Sequence, residues 1–356
     1  MANEKTSASA QAWSLSRMGV FLGLRVLAWD GDVLYASRGY DLLRAKLSAD
    51  RVQWEPVASY RPEWWRNLSS TSRFGARLFR DGFHALAVLP SGHLIAAVPG
   101  AIATLAPGEN EFRVTHKVLR GTRPLHIAVM PDNQIVWGEY FDNAGRDEVH
   151  VYSSSDCGAT WNVAYTFAKG EIRHVHNIVC DPWENCLWVL TGDNGDECRI
   201  LRVSYDFKSI DVALAGNQQA RAVALIPTRY GLFFSSDTPL EANHIYHFDH
   251  HEGLSVVADL DSSSIYGCHA TDAMFFSTMV EPSVVNPTRE VCVYGSADGF
   301  SWHKAFARQK DAWPMGLFQY GNAFLPDGQN STNILAVTTV AVEGGDLETS
   351  LWRVLR

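Results

Sequence analysis

Apolar residues in this chain fall in short runs, and alternation with polar positions dominates over any helical period. The stretches LPSG, MPDN, DPWEN, IPTRYG and LPDGQN punctuate the runs. They are rich in the residues that tight turns demand. No amphipathic helix of convincing length is visible. The strand-like runs recur in groups of four, at roughly 40–45 residues per group, the period of propeller blades.

Seven groups can be counted. The first runs from Leu24 to about Val57. The next five open at FHALAVLPSGHLIAAV, LHIAVMPDNQIVWGEYF, HVHNIVCDPWENCLWVLTGD, RAVALIPTRYGLFFSSD and GCHATDAMFFSTMVEPS. The last opens at LFQYGNAFLPDGQNSTNILAVTTVAVE and carries its own strands through SLWRVLR. The expected fold is therefore all-β, a seven-bladed β-propeller with four-stranded blades over residues 21–356, after a polar segment over 1–20. Ring closure is expected to involve the N-terminal segment.

Composition narrows the partners. A formal net charge of −9 argues against nucleic acid, whose phosphates call for a basic face. No run of eighteen apolar residues suggests a membrane span, and no secretory segment is visible at the start, so a cytoplasmic location is expected. The six Cys show no zinc spacing and are expected as reduced thiols. Twelve Trp and twelve Tyr suit either sugar-binding platforms or aromatic packing in a β-rich core.

One local pattern stands out. Ser154, Asp156, Gly158, Thr160 and Trp161 fit Ser-x-Asp-x-Gly-x-Thr-Trp, between the third and fourth strands of the third group. A shortened copy occurs at Ser296, Asp298, Gly299, Ser301 and Trp302, and a decayed one around Ser204 and Asp206. The Asp can accept backbone N–H bonds in a hairpin, and Gly allows positive φ. These boxes read as structural. With the blade period, they resemble the BNR/Asp-box propellers of the sialidase-like superfamily. WGEYF, IRHVHNIVCDP with LTGD, and MVEPS are similar to BNR-repeat proteins labelled glycosyl hydrolases. Seven-bladed polysaccharide lyases are a second resemblance. The Arg-Ile-Pro motif of sialidases is missing.

Propeller geometry sends first-strand entrances and second-strand exits to one channel mouth. The entrances give His84, His126, His174, His176, Arg221, His269 and Gln319. The exits give Glu139, Tyr140, Asp193, Asp237 and Glu281. The resemblance implies a carbohydrate-active enzyme cleaving glycosidic bonds of an acidic oligo- or polysaccharide at this mouth. A hydrolase would use Glu139 and Glu281 as acid and base or nucleophile. A lyase would use His126 or His176 as base, with Tyr140 as acid. Arg146, Arg173 and Arg221 would grip a carboxylate, with His84, Asp193, Asp237, His269 and Gln319 completing substrate contacts. His84, His126, His176 and His269 would hold a divalent metal at the axis if one is used. The competing expectation is a non-catalytic propeller that binds carbohydrate or scaffolds an assembly.

Overall fold

The computed structural model describes residues 13–47 and 51–356. Seven antiparallel sheets succeed one another around a ring, and in each the strands run from the axis outward. Blade 1 comprises Arg25–Gly31, Val33–Arg38, Asp41–Lys46 and Glu55–Ser59. Blade 2 comprises Ala85–Val88, Leu94–Val98, Ala101–Leu105 and Arg113–Lys117. Blade 3 comprises Ala128–Val129, Ile135–Gly138, Val149–Ser154 and Asn162–Phe167. Blade 4 comprises Val175–Asp181, Cys186–Thr191, Arg199–Val203 and Ile210–Ala215. Blade 5 comprises Ala222–Thr228, Gly231–Ser236, Asn243–Asp249 and Gly253–Leu260. Blade 6 comprises Ser264–Ala270, Ala273–Thr278, Glu290–Ser296 and His303–Gln309. Blade 7 takes Asn322–Phe324, Ile334–Val340 and Glu348–Leu355 from the end of the chain, and Ser14–Leu22 from its beginning.

The alternation in the sequence is explained by what each sheet faces. Side chains on a strand point alternately to its two faces. In blade 2, Leu94, Ala96 and Val98 enter a core shared with blade 1, while Ile95 and Ala97 enter one shared with blade 3. In blade 4, Leu187 and Val189 pack toward blade 3, and Trp188 and Leu190 toward blade 5. The second strands of these two blades are therefore buried at every position, while the fourth strand of blade 4 is partly exposed.

The polar segment expected over 1–20 ends inside a strand. Its first twelve residues lie outside the described residues, but Ser14–Leu22 pairs antiparallel with Glu348–Leu355. A register break between the third and fourth strands occurs in all seven blades, and in blade 7 it falls at Arg17/Gly19. This shared bulge marks the N-terminal strand as a true fourth strand. On the inner side, Asp327–Asn330 leaves blade 7 and runs parallel to Arg25–Gly31 of blade 1. A buried relay completes the joint: Val26 N donates to Thr338 Oγ1 (2.9 Å), Thr338 donates to Thr349 Oγ1 (2.6 Å), and Thr349 donates to Leu24 O (2.7 Å).

Asp boxes form the hairpins expected of them. Asp156 accepts from Thr160 N (2.9 Å) and Thr160 Oγ1 (2.6 Å), and Ser154 Oγ accepts from Gly158 N (2.9 Å). Those bonds from Thr160 lead the interactions that hold the Asp156 carboxyl down at about 2. Trp161 packs at the interface of blades 2 and 3, and Trp302 at that of blades 5 and 6. Asp298 and Asp206 repeat the arrangement.

One departure from the repeat is a helical insert between blades 1 and 2, α1 (Trp64–Ser70) and α2 (Arg73–Phe79). The sequence reading missed it, because each helix is only seven residues and offers no sustained apolar stripe. Arg77 of α2, fully buried, pairs with Asp311 and lies 4.4 Å from the Trp313 ring centroid, which ties the insert to the loop between blades 6 and 7.

The closing relay makes a direct prediction. Thr338→Val keeps the shape but leaves the Val26 N–H buried without an acceptor, so it should lower stability by about 1–3 kcal/mol. Equilibrium denaturation of the variant against the wild type measures this, and an unchanged midpoint would remove the relay from the closing joint.

Candidate functional site

The face that carries the insert also gathers the first-strand entrances and second-strand exits. On the side of blades 3 to 6, side chains from four blades converge. Blade 4 contributes His174 and His176, both buried, together with Asp193 at the exit of its second strand. Blade 3 contributes Tyr140, whose ring centroid lies 4.4 Å from that of His174. Blade 5 contributes Arg221 and the buried Asp237, and Glu281 follows the second strand of blade 6.

His174 and His176 meet through their Nε2 atoms at 3.0 Å. Each ring is fixed from behind: His174 Nδ1 bonds Phe141 O and His176 Nδ1 bonds Ala222 O, both at 3.0 Å. The pair is therefore anchored to blades 3 and 5 while standing on blade 4. His176 occupies a β-bulge, since Val175 pairs with Thr191 and Asn177 with Leu190, which leaves residue 176 unpaired. The same bulge recurs in the inner strands of blades 1, 5 and 6, where it holds Leu27, Val223 and Ile265. Blade 4 alone among these places an imidazole there.

Asp193 is the electrostatic centre. Its Oδ1 lies 3.6 Å from His174 Nε2, 3.4 Å from His176 Nε2 and 3.3 Å from Arg221 Nη2, and its Oδ2 lies 3.0 Å from Arg173 Nη1. Burial alone would push its carboxyl up, but the hydrogen bonds and charges of the two His hold it well below the ordinary range. Burial lowers the pKa of His176. Asp237 goes the other way. Burial first, and then the charges of Glu281 and Asp193, raise its carboxyl to about 6 despite Arg221 at 3.7 Å. Tyr140 is pushed up to about 12 by burial and by the same acidic neighbours, so its hydroxyl stays a donor.

Around the axis lies a second group. His126 Nδ1 bonds Asp327 (3.0 Å), which the connecting strand Asp327–Asn330 carries in from blade 7. His84 meets Arg25 at 3.4 Å, and Tyr266 stands edge-on to the His126 ring. Burial lowers the pKa of Arg25 and brings that of Arg123 to about 10. Arg25, Arg123, Tyr266 and Asp327 were not expected from the sequence. Arg25, Tyr266 and Asp327 lie on inner strands, where the alternation of apolar residues gives no sign that a polar side chain faces the axis.

Several expected residues lie elsewhere. His269 sits beside the turn at Ala270–Ala273, because the first strand of blade 6 begins at Ser264, and so it belongs to the opposite face. The axial metal expected on His84, His126, His176 and His269 is therefore not supported by a common cluster. Glu139 is buried and committed to structure: it pairs with Arg120 (3.0 Å from Nε) and accepts from His150 N (2.8 Å). Arg146 is bound to Glu197 at 2.7 Å, a tie between loops of blades 3 and 4. Gln319 lines a separate cleft of about 700 Å³ between the insert and blades 1, 2 and 7.

No family model matches the chain, and no curated protein matches it. Solved structures do. One, titled as a crystal structure of the mitotic checkpoint complex, is 12% identical with a TM-score of 0.58, over 99% of this chain and 96% of that one. Another is the β-propeller domain of Cps50 (Swd1) from Myceliophteria thermophila, 10% identical with a TM-score of 0.57, over 95% of this chain and 99% of that one. Neither title names a sialidase or another BNR-repeat protein. At such identities the likeness establishes the seven-bladed fold. The expectation of a propeller that cleaves an acidic polysaccharide is corrected here: the similar structures carry the titles of a mitotic checkpoint complex and of a Cps50 (Swd1) β-propeller domain, and neither names a carbohydrate. Glu139, one half of the expected carboxyl pair, is also held by Arg120. The Asp boxes misled because they solve a hairpin problem that any propeller can pose.

Asp237 supplies a pH prediction. Its carboxyl is raised from 3.8 to about 6, so the folded state binds a proton more tightly than the unfolded state. Stability associated with this group is fully present below the unfolded value and is lost as pH rises through the folded one. Asp237→Asn should therefore gain on the wild type by roughly 2–3 kcal/mol above the window, and the difference should shrink toward pH 4. Thermal melts across that range test this, and a constant difference would refute it.

Proposed function

We propose that the chain is a non-catalytic assembly propeller that presents its insert-bearing face to a protein partner. The observation that carries this reading is a cluster of exposed large apolar side chains on and beside the insert. Trp64 is 79% exposed, Leu68 66%, Phe74 56%, Phe79 49% and Leu317 67%. Helix α1 buries none of its residues. Exposed apolar side chains clustered in this way mark association surfaces in soluble proteins. Leu119, Leu240 and Val284 extend the apolar character around the same rim, in loops that join blades or leave second strands.

The insert is firmly seated. Arg77 and Arg73 both reach Asp346 and Asp311, so α2 is held across the face by buried ion pairs. A platform fixed in this way can dock a partner without first paying the entropy of ordering itself. The structural likeness to a mitotic checkpoint complex structure supports a protein partner in kind.

A triple variant, Trp64→Ser with Leu68→Ser and Leu317→Ser, tests this, with Trp183→Ser on the opposite face as control. Proteins cross-linked to the wild type in extracts of its own source are quantified by mass spectrometry. The reading expects a defined partner whose capture drops at least tenfold with the triple variant and persists with the control. A partner retained equally by the triple variant would move the docking surface elsewhere, and the absence of any partner would overturn the reading.

A further inference from the structure

We infer that His174, His176 and Asp193 form a binding site for one divalent transition-metal ion of the zinc class. The argument begins with hydrogen positions. Phe141 O and Ala222 O can only accept, so the Nδ1 atoms bonded to them at 3.0 Å carry the protons. A neutral imidazole has one N–H. With both rings neutral, the two Nε2 atoms are bare lone pairs that face each other at 3.0 Å in buried surroundings, and only an added proton or a metal ion lets the pair bind Asp193. Two acceptors at that distance repel unless a proton or a metal ion lies between them. Asp193 Oδ1, 3.4 and 3.6 Å away, turns the pair into a triangle of electron donors.

The dimensions of the triangle match coordination. Ligand atoms about 2.0–2.2 Å from one ion stand roughly 2.8–3.6 Å apart at the edges of an octahedral or tetrahedral shell. The three edges are 3.0, 3.4 and 3.6 Å. The outer shell also fits. Metal-ligating His residues ordinarily give their other N–H to a carbonyl or carboxylate, which fixes tautomer and ring orientation. Here both do so, onto neighbouring blades.

Chemistry selects the ion. Two imidazoles with one carboxylate suit zinc and its first-row neighbours, whereas calcium and magnesium call for oxygen shells. The local charge allows a cation: Asp193, Asp237 and Glu281 face Arg173 and Arg221, a surplus of carboxylate while both imidazoles are neutral. Arg221 shares Asp193 Oδ1 at 3.3 Å and sets a limit on affinity. The bulge supplies independent support, since its equivalents in three other blades hold aliphatic side chains. Among the described residues one other cluster has ligand spacing, Asp261 with Glu290 and Cys292, and there Lys304 already lies 2.6 Å from Asp261 and 3.8 Å from Glu290.

The test uses the whole protein, stripped with a chelator and titrated with Zn²⁺ alone by calorimetry, and in parallel with Co²⁺ by visible absorption and proton NMR. The wild type should take up one equivalent of Zn²⁺. Its Co²⁺ form should show two exchangeable, hyperfine-shifted imidazole N–H signals, from the Nδ1 protons of His174 and His176. His174→Gln and His176→Gln should each weaken uptake at least tenfold, while His126→Gln, at the axis, leaves it unchanged. The NMR readout requires no variant, so misfolding of either substitution does not obscure the answer. The site is refuted if the wild type takes up no Zn²⁺, if the Co²⁺ form lacks the paired signals, or if His126→Gln abolishes uptake as well.

Discussion

Closure of the ring is the constraint on which the rest of this molecule depends. Each blade buries both faces, one against each neighbour, and seven apolar cores result, one for every interface including that between blades 7 and 1. An open array would leave two terminal blades with a bare apolar face, the problem that capping repeats solve in linear solenoids. Here the first and last segments of the chain solve it together. Ser14–Leu22 completes the outer edge of blade 7, Asp327–Asn330 reaches the inner edge of blade 1, and Thr338 and Thr349 satisfy backbone groups at the joint. The cooperative unit is thus the whole circle, because the two sides of the last interface lie more than three hundred residues apart in sequence.

A closed ring has two unequal faces, and the chain uses them differently. The turns opposite the insert are short, and several of them are fixed by an Asp that accepts from a backbone amide of the turn. The other face receives the longer connections, among them the helical insert. These connections are free to carry side chains that the sheet would not tolerate, and the exposed apolar residues and the imidazole pair both lie on this side. Rigidity on one face supports chemical variety on the other.

The parts legible in the sequence are those governed by a local rule. Strand alternation, turn residues and blade period are short-range, and they led to the architecture and to the placement of the Asp boxes. What could not be read depends on distant partners. The fourth strand of blade 7 looks polar in isolation, because Ser14–Leu22 exposes many of its side chains at the rim and reveals its role only against Glu348–Leu355. His269 was assigned to the wrong face because Ser262, Ser263 and Ser264 are all buried, and a polar run of that kind hides the start of an inner strand. Glu139 resembled a free carboxylate until Arg120, nineteen residues earlier and in another loop, was seen against it. His174, His176, Asp193, Arg221 and Asp237 lie together on one face, since strand ends in successive blades must point to one mouth.

The imidazole pair bears on a wider question, whether the buried polar cluster serves stability or something else. An aliphatic residue at position 176 would fit the pattern of blades 1, 5 and 6 and would bury apolar surface at an interface. Instead two imidazoles are held with their lone pairs opposed, and a carboxylate and two guanidiniums are brought in beside them. Each of these groups is costly to dehydrate, and a buried charged cluster is often no more stable than an apolar one of the same shape. The fold does not need this cluster, because the other blades close their interfaces without it. A costly polar cluster confined to one sector of an otherwise regular ring is where a binding role is best sought. The bulge offers the structural means: it frees one residue of the inner strand from pairing, and in blade 4 that freedom is given to a side chain with a lone pair to share.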